Sequence, residues 1–212
     1  MLNLDLYSII SRVLVVVLLL PVHEFAHAWA SYKLGDNTAN YSGRLTLNPF
    51  AHLDPIGTIL LILTGYGWAR PVPVNPRNFK DRKLGMGLTA LAGPVSNVLV
   101  SYILLLICKG IIVLSENFFF NPTAVNVISG VVSQMAWISV VLAVFNMIPV
   151  PPLDGSKVIL MVLPYKWYFK VLAYERYIYI ALMVLLFTGV LSYPIGLVSS
   201  YIFNGLCFLS GL

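Results

Sequence analysis

The chain has 212 residues, of which 59% are hydrophobic and only 10% are charged. With a mean hydropathy of +0.87, it has too few polar residues to cover a water-soluble globule, and we expect an integral membrane protein. The formal charge of +5 predicts orientation in a membrane rather than nucleic-acid binding, because the basic residues lie in loops beside apolar stretches. Cys108 and Cys207 both lie in apolar stretches, which argues against a disulfide framework.

Four apolar segments are long enough to cross a bilayer as helices, which takes roughly 20 residues. They cover approximately residues 6–34, 84–114, 123–150 and 177–205. A fifth stretch, 55–69, is shorter and contains several Gly and Pro positions, so it is predicted to be re-entrant or interfacial. We therefore expect an all-α polytopic membrane protein that forms a single domain over residues 1–212.

The distribution of Lys and Arg supports this arrangement. If the first helix runs from outside to inside, all basic residues except Arg12 and Lys109 face the cytoplasm, in agreement with the positive-inside tendency. If 55–69 crossed the membrane, the basic residues of 70–83 would face the opposite side, so a re-entrant segment is favoured. In the tail, 193–196 (YPIG) is compatible with a hairpin or a kink, and we favour one kinked helix. A cleaved signal peptide is disfavoured because Asp5 stands where a basic cluster is expected.

The stretch VHEFAHA at 22–28 places chemically active groups inside the first apolar run. On a helix, His23, Glu24 and His27 fall at about 0°, 100° and 40°, so they share one face. Two histidines four residues apart can bind one Zn²⁺, and the glutamate between them can then accept a proton from a metal-bound water. A chance match to this short pattern is the alternative, but such groups are costly within a span unless a metal compensates them.

A catalytic zinc generally has three protein ligands, and the third candidate is Asp154. It follows the third apolar segment in NMIPVPPLDG, where the prolines disfavour a regular helix and allow the chain to turn back. Asp154 can then point toward His23 and His27. The alternative is a Pro-rich turn in which the Asp caps a helix over 156–163.

Further candidates carry weaker signals. Asn97, near Gly93 and Pro94, could supply an oxyanion donor or a helix–helix hydrogen bond. His52 and Asp54 could approach the metal, but the Asp-Pro pair favours a turn. Partial alternation in YSGRLTL, residues 41–47, allows a short strand or β-hairpin, whose edge could pair with an unwound substrate.

These motifs resemble the site-2 protease family of intramembrane zinc metalloproteases, in its small bacterial branch. HEFAH resembles the family's H-E-x-x-H, and NMIPVPPLDG resembles its N-x-x-P-x-x-x-L-D-G element; SGRLTLNPFAHLDPIG and LAGPVSN are similar to recurrent stretches of that branch. The resemblance implies that His23, His27 and Asp154 bind one zinc ion and that Glu24 is the catalytic base. It also implies that Asn146 helps to hold the substrate or the developing oxyanion, and we expect neither a PDZ-like nor a CBS-like domain.

The implied activity is hydrolysis of peptide bonds within or near a transmembrane helix of a membrane-protein substrate. We expect the enzyme in the lipid bilayer of a bacterial cytoplasmic membrane, with its active site toward the cytoplasm; the sequence leaves the oligomeric state open. The alternatives are a metal-dependent protein that binds membrane proteins without cleaving them, and a metal transporter. Glu24 distinguishes them, because neither alternative needs a base beside the metal.

Overall fold

The computed structural model describes residues 6–64, 68–117, 121–164 and 174–212. The described part is helical, and four of its helices are long and apolar enough to cross a membrane, which confirms the expected all-α polytopic fold. The helices are α1 Leu6–Leu14, α2 Leu20–Lys33, α3 Thr38–Tyr41, α4 Pro49–His52, α5 Pro55–Thr64, α6 Arg82–Asn117, α7 Pro122–Asn146, α8 Asp154–Leu160, α9 Glu175–Phe187 and α10 Ser192–Ser210.

The first span combines α1, a π-helical turn over Val15–Leu19 and α2 into one continuous helix. The wide turn precedes Pro21, which has no N–H to offer the carbonyl four residues earlier. The Leu20 N–H accordingly bonds to the Val15 carbonyl, five residues back. The helix stops before Gly35, whose φ of 105° only glycine adopts easily.

The second and third spans, α6 and α7, pack closely against each other. Small hydroxyl side chains join them: the Ser101 hydroxyl donates to the Ala136 carbonyl at 2.9 Å, and the Ser139 hydroxyl donates to the Asn97 carbonyl at 2.8 Å. Such residues allow close approach and hydrogen bonds between spans. The third span is shorter than the predicted 123–150, because α7 ends at Asn146 before the Pro-rich stretch.

The predicted fourth span over 177–205 is interrupted. The chain forms α9, then a turn at Gly189 with φ 76°, and then α10. The thirteen residues of α9 extend only about 20 Å, whereas α10 is long enough to cross. Pro194 lies in the first turn of α10, where proline is tolerated, so the break falls a few residues before the predicted kink.

The two ends of the fifth apolar stretch lie together, an arrangement compatible with the predicted re-entrant segment. Its helix Pro55–Thr64, named here the re-entrant helix, is only about 15 Å long. Leu53 and Ala69 form an antiparallel bridge, and the Arg70 N–H donates to the His52 carbonyl at 2.8 Å. The two ends of the segment are therefore side by side.

The β-hairpin considered for 41–47 does not form. Tyr41 ends the short helix Thr38–Tyr41, and Gly43 turns the chain with φ 67°. The Arg44 N–H then bonds to the Ala39 carbonyl at 2.9 Å, so this stretch is a helix followed by a turn. Partial alternation in the sequence was too weak a signal against a glycine that reverses the chain.

Asp36 fastens the loop after the first span to the segment that precedes the second. This fully buried carboxylate accepts hydrogen bonds from the Thr38 hydroxyl at 2.5 Å, the Asn75 N–H at 2.7 Å and the Asn78 amide at 2.7 Å. Burial alone raises the pKa of Asp36, but these hydrogen bonds outweigh it and lower the pKa below its ordinary value.

Candidate metal centre

Three potential ligand atoms from two distant parts of the chain converge in the interior. Nε2 of His23 lies 3.0 Å from Nε2 of His27, and Oδ2 of Asp154 lies 3.5 Å and 3.2 Å from these two atoms. All three residues are buried. Ligands about 2.05 Å from a tetrahedral zinc ion are separated from one another by about 3.3 Å, so the triangle has the size that zinc requires.

The second ring nitrogen of His27 is held by the backbone of α6. Nδ1 of His27 lies 2.7 Å from the Thr89 carbonyl oxygen. Because a carbonyl only accepts, Nδ1 must carry the hydrogen, and in the neutral ring the lone pair is then on Nε2. This support of a metal-binding imidazole by a backbone carbonyl is common at metal sites. His23 differs, because its buried Nδ1 has no hydrogen-bond partner among the described residues.

Gly93 allows α6 to approach the two histidines. A Cβ atom at residue 93 would lie 2.4 Å from Nε2 of His27 and 2.6 Å from Cε1 of His23, distances that real Cβ contacts do not show. Only glycine therefore leaves room for both rings at this position. In the sequence Gly93 drew notice only as a neighbour of Asn97, whereas the structure shows a steric requirement at the candidate metal centre.

Asp154 reaches the histidines because the Pro-rich stretch turns the chain after α7. Leu153 is extended and occupies the N-cap position, and Asp154 is the first residue of α8. The side chain of Asp154 is directed to the imidazoles rather than to the N–H groups of its own helix, so the simple cap that the sequence allowed is not formed. Lys157 lies 3.8 Å from the other carboxylate oxygen.

Glu24 is buried beside His23 on α2, with 8% of its surface exposed. Arg44, which is 7% exposed, donates hydrogen bonds to the carbonyls of Ala51 and Arg70. Burial lowers the pKa of Arg44, as does the charge of Arg70, while the charge of Glu24 raises it. The buried cation and Glu24 thus act on each other electrostatically, which the sequence could not reveal because Arg44 resembles any other basic residue of a loop.

His52 and Asp54 both have structural partners, in agreement with the predicted turn. Nε2 of the fully buried His52 lies 2.8 Å from the Thr46 carbonyl. The Asp54 carboxylate accepts from the Gly57 N–H at 2.9 Å, at the start of the re-entrant helix. In the part of the chain that the structure describes, the group able to hold a metal consists of His23, His27 and Asp154.

The two candidate asparagines differ in their surroundings. Asn97 lies one turn beyond Gly93, is 1% exposed, and its amide nitrogen has no hydrogen-bond partner within the described ranges. The amide of Asn146 instead donates to the Leu142 carbonyl of its own helix at 3.0 Å. Asn97 therefore has an uncommitted donor, whereas Asn146 already uses one.

An apolar groove of about 490 Å³ lies between α6, α7 and α10. Two of its residues lie close to residues of the candidate metal centre: Pro94 follows Gly93 in the chain, and the Met147 carbonyl packs in space against Gly155, which follows Asp154. The full lining consists of Leu91, Pro94, Val95, Val98, Leu99, Ala143, Val144, Met147, Ile148, Val198 and Ile202.

Fold and site together define a polytopic helical membrane protein with two histidines and a carboxylate placed to hold a metal ion. The model of peptidase family M50 matches residues 11–192, and the chain belongs to this family, the site-2 proteases. The chain is 40% identical over 185 residues to YwhC of Bacillus subtilis (strain 168), whose name describes a zinc metalloprotease; the match covers 85% of this chain and 82% of YwhC.

More distant relatives carry the same description. The chain is 26% identical over 141 residues to Rip2 of Mycolicibacterium smegmatis (strain ATCC 700084 / mc(2)155) and 28% identical over 140 residues to Rip2 of Mycobacterium tuberculosis (strain ATCC 25618 / H37Rv). Each match covers 64% of this chain and 51% of the relative, and both names describe a zinc metalloprotease. No solved structure matches the chain. Family and relatives together support a zinc metalloprotease.

Proposed function

We propose that the chain hydrolyses peptide bonds within or next to transmembrane segments of membrane proteins. The observation that carries this proposal is the triangle of His23, His27 and Asp154 with Glu24 beside it. His23, Glu24 and His27 lie within a span, Ile9–Lys33. A substrate must therefore reach a site enclosed by membrane helices.

The ligand set fits zinc in size and in chemistry, since imidazole nitrogens and a carboxylate oxygen are ordinary zinc ligands. A zinc ion held by His23, His27 and Asp154 would supply a Lewis acid and would make a water acidic enough to lose a proton near neutral pH. Glu24 would act as the general base, taking a proton from the attacking water and giving it to the leaving amine. The transporter and binding-protein alternatives give no role to a buried glutamate at this position.

The amide of Asn97 is the donor we assign to the substrate's carbonyl oxygen as negative charge develops there. Buried donors that have no other partner are suited to this role, because they need no rearrangement during the reaction. Asn146 stays a secondary candidate for holding the substrate, since one of the two N–H donors of its amide is already bound to the Leu142 carbonyl.

The substrate we propose is an apolar segment that loses its helical structure locally. In a helix, each peptide carbonyl is hydrogen-bonded and enclosed by neighbouring side chains, so attack requires an unwound stretch. The apolar lining of the groove between α6, α7 and α10 suits such a segment better than a polar peptide. We place the site in the cytoplasmic half of a bacterial cell membrane. Lys33 ends the span that carries His23 and His27, and loops rich in basic residues tend to face the cytoplasm.

The deciding experiment compares the native chain with Glu24→Gln, purified in lipid nanodiscs and given a membrane protein with one transmembrane helix. Loss of a general base lowers the rate by about 10²- to 10⁴-fold, and we expect a loss of that size while bound zinc stays at one ion per chain. Glu116→Gln, which removes an exposed carboxylate at the far end of α6, is the matched control and keeps full activity.

Cleavage that persists in Glu24→Gln at the native rate contradicts the proposal. The same pair of variants also identifies substrates, since membrane-protein fragments present with the native chain and absent with Glu24→Gln are its products. Zinc flux into liposomes that contain the native chain would instead support a transporter.

A further inference from the structure

Arg12 is a cationic residue of the first span that the proposed chemistry does not use. It lies within Ile9–Lys33, eleven residues before His23 and therefore about 16 Å from it along the helix. A charged side chain inside a span is costly unless it pairs with another charge or with backbone carbonyls. Arg12 therefore needs a partner within the protein.

That partner is the carboxyl end of the re-entrant helix. The guanidinium of Arg12 donates to the carbonyls of Ile62 and Leu63, at 3.1 Å and 3.3 Å, and both belong to the last turn of Pro55–Thr64. The last carbonyls of a helix have no donor within the helix and carry partial negative charge. Hydrocarbon offers no water to satisfy them, so the cation and the helix end each compensate the other.

The re-entrant helix lies along the helix that carries the metal ligands. It packs against both Leu6–Leu14 and the π-helical turn Val15–Leu19, which shortly precedes His23. Leu61 is buried on the protein side, whereas Ile59 is 58% exposed on the other. The bridge between Leu53 and Ala69 thus closes the segment beside the first residue of the helix, and Arg12 binds the carboxyl end of the helix.

We propose that Arg12 is a positioning residue that latches the carboxyl end of the re-entrant helix to the first span and so keeps that helix packed against Leu6–Leu14 and Val15–Leu19. Loss of the cation leaves the last carbonyls of the helix without a donor in the membrane. The carboxyl end of the helix, at Ile62 and Leu63, then separates from the first span, while Leu53 and Ala69 stay paired. This inference goes beyond the proposed function and does not require it, because the latch is a property of the fold.

Hydrogen exchange measured by mass spectrometry in lipid nanodiscs tests the latch without any substrate. In Arg12→Gln we expect peptides covering 55–64 to exchange at least tenfold faster than in the native chain, while peptides from α6 and α7 keep their protection. Arg12→Lys retains a cation that can donate to the same carbonyls and should restore most of the protection. That rescue distinguishes a charge-dependent latch from the loss of a bulky side chain.

Lys109→Gln is the matched control, because Lys109 donates to the Ser210 carbonyl at 2.9 Å and so caps another helix end from inside a span. It should loosen the end of α10 and leave 55–64 protected. Unchanged exchange of 55–64 in Arg12→Gln overturns the proposal. So does a loss of protection that extends over the whole bundle, since Arg12 would then hold the fold rather than one helix.

Discussion

Gly93→Ala places a single methyl group where the metal centre has no room for it. The new Cβ would lie 2.4 Å from Nε2 and 2.5 Å from Cε1 of His27, and 2.6 Å from Cε1 of His23. Ordinary contacts of this kind begin at 3.4 Å, so the His27 ring must retreat by about 1.0 Å, the difference between 3.4 Å and 2.4 Å. The constraint comes from α6, which approaches both rings at this point.

A displacement of this size is large for a metal ligand. Ligand distances at metal sites vary by only about 0.2 Å, and loss of a supporting contact alone weakens metal binding by 10- to 100-fold. We therefore expect the Kd for zinc to rise at least 100-fold in Gly93→Ala, which corresponds to about 2.7 kcal/mol. Cleavage at limiting zinc should fall with the loss of bound metal.

The assay is a zinc titration of purified protein against a chromophoric chelator, with metal content checked by elemental analysis. Gly110→Ala is the control, because it lies on the same helix and a Cβ there meets nothing within 4 Å. The two variants change helix propensity equally, so only the contact with the imidazoles differs between them. Native zinc affinity in Gly93→Ala would refute the steric argument.

Two further predictions concern residues outside the ligand triangle. Asn97→Ala should lower kcat by roughly 100-fold, as loss of one oxyanion donor does, while the zinc content stays native. Asn126→Ala, at an exposed position, is the control. A kcat that Asn97→Ala leaves unchanged would remove Asn97 from the proposed mechanism. Asp36→Asn should destabilise the protein by about 1–2 kcal/mol in thermal unfolding near neutral pH. The pKa of Asp36 is lower in the folded protein than in the unfolded chain. Its contribution to the free energy of unfolding is therefore complete above the unfolded pKa near 3.9 and is lost as the pH falls through the folded pKa. The difference in stability between the native protein and Asp36→Asn should accordingly shrink below about pH 4.

Local patterns in the sequence were sufficient for the first three spans and for the first two candidate ligands. The length of the apolar runs predicted these three spanning helices, and the i, i+4 spacing placed His23 and His27 on one face, whereas the fourth span begins only at Ser192. Asp154 required a second step, namely that prolines after the third span turn the chain back toward the first. Each of these signals is local, or depends only on the direction in which a span crosses the membrane.

The features that sequence analysis missed depend on contacts between distant segments. Gly93 is one of 15 glycines, and only the approach of α6 to the imidazoles reveals that a side chain there is impossible. Arg44 is indistinguishable in the sequence from other loop cations, and only the fold buries it within range of the charge of Glu24. The break before α10 depends on Gly189 adopting a left-handed conformation, and the nearby Pro194 gave a stronger but misplaced signal.

X-ray absorption at the zinc edge, measured on the native protein and on Asp154→Asn, reports the ligands of the bound metal themselves. For the native protein we expect a spectrum fitted by two imidazoles and light oxygen ligands at about 2.0–2.2 Å, and for the variant weaker zinc binding. Sulfur ligands in the native spectrum, or a spectrum and zinc affinity that Asp154→Asn leaves unchanged, would contradict a site formed by His23, His27 and Asp154.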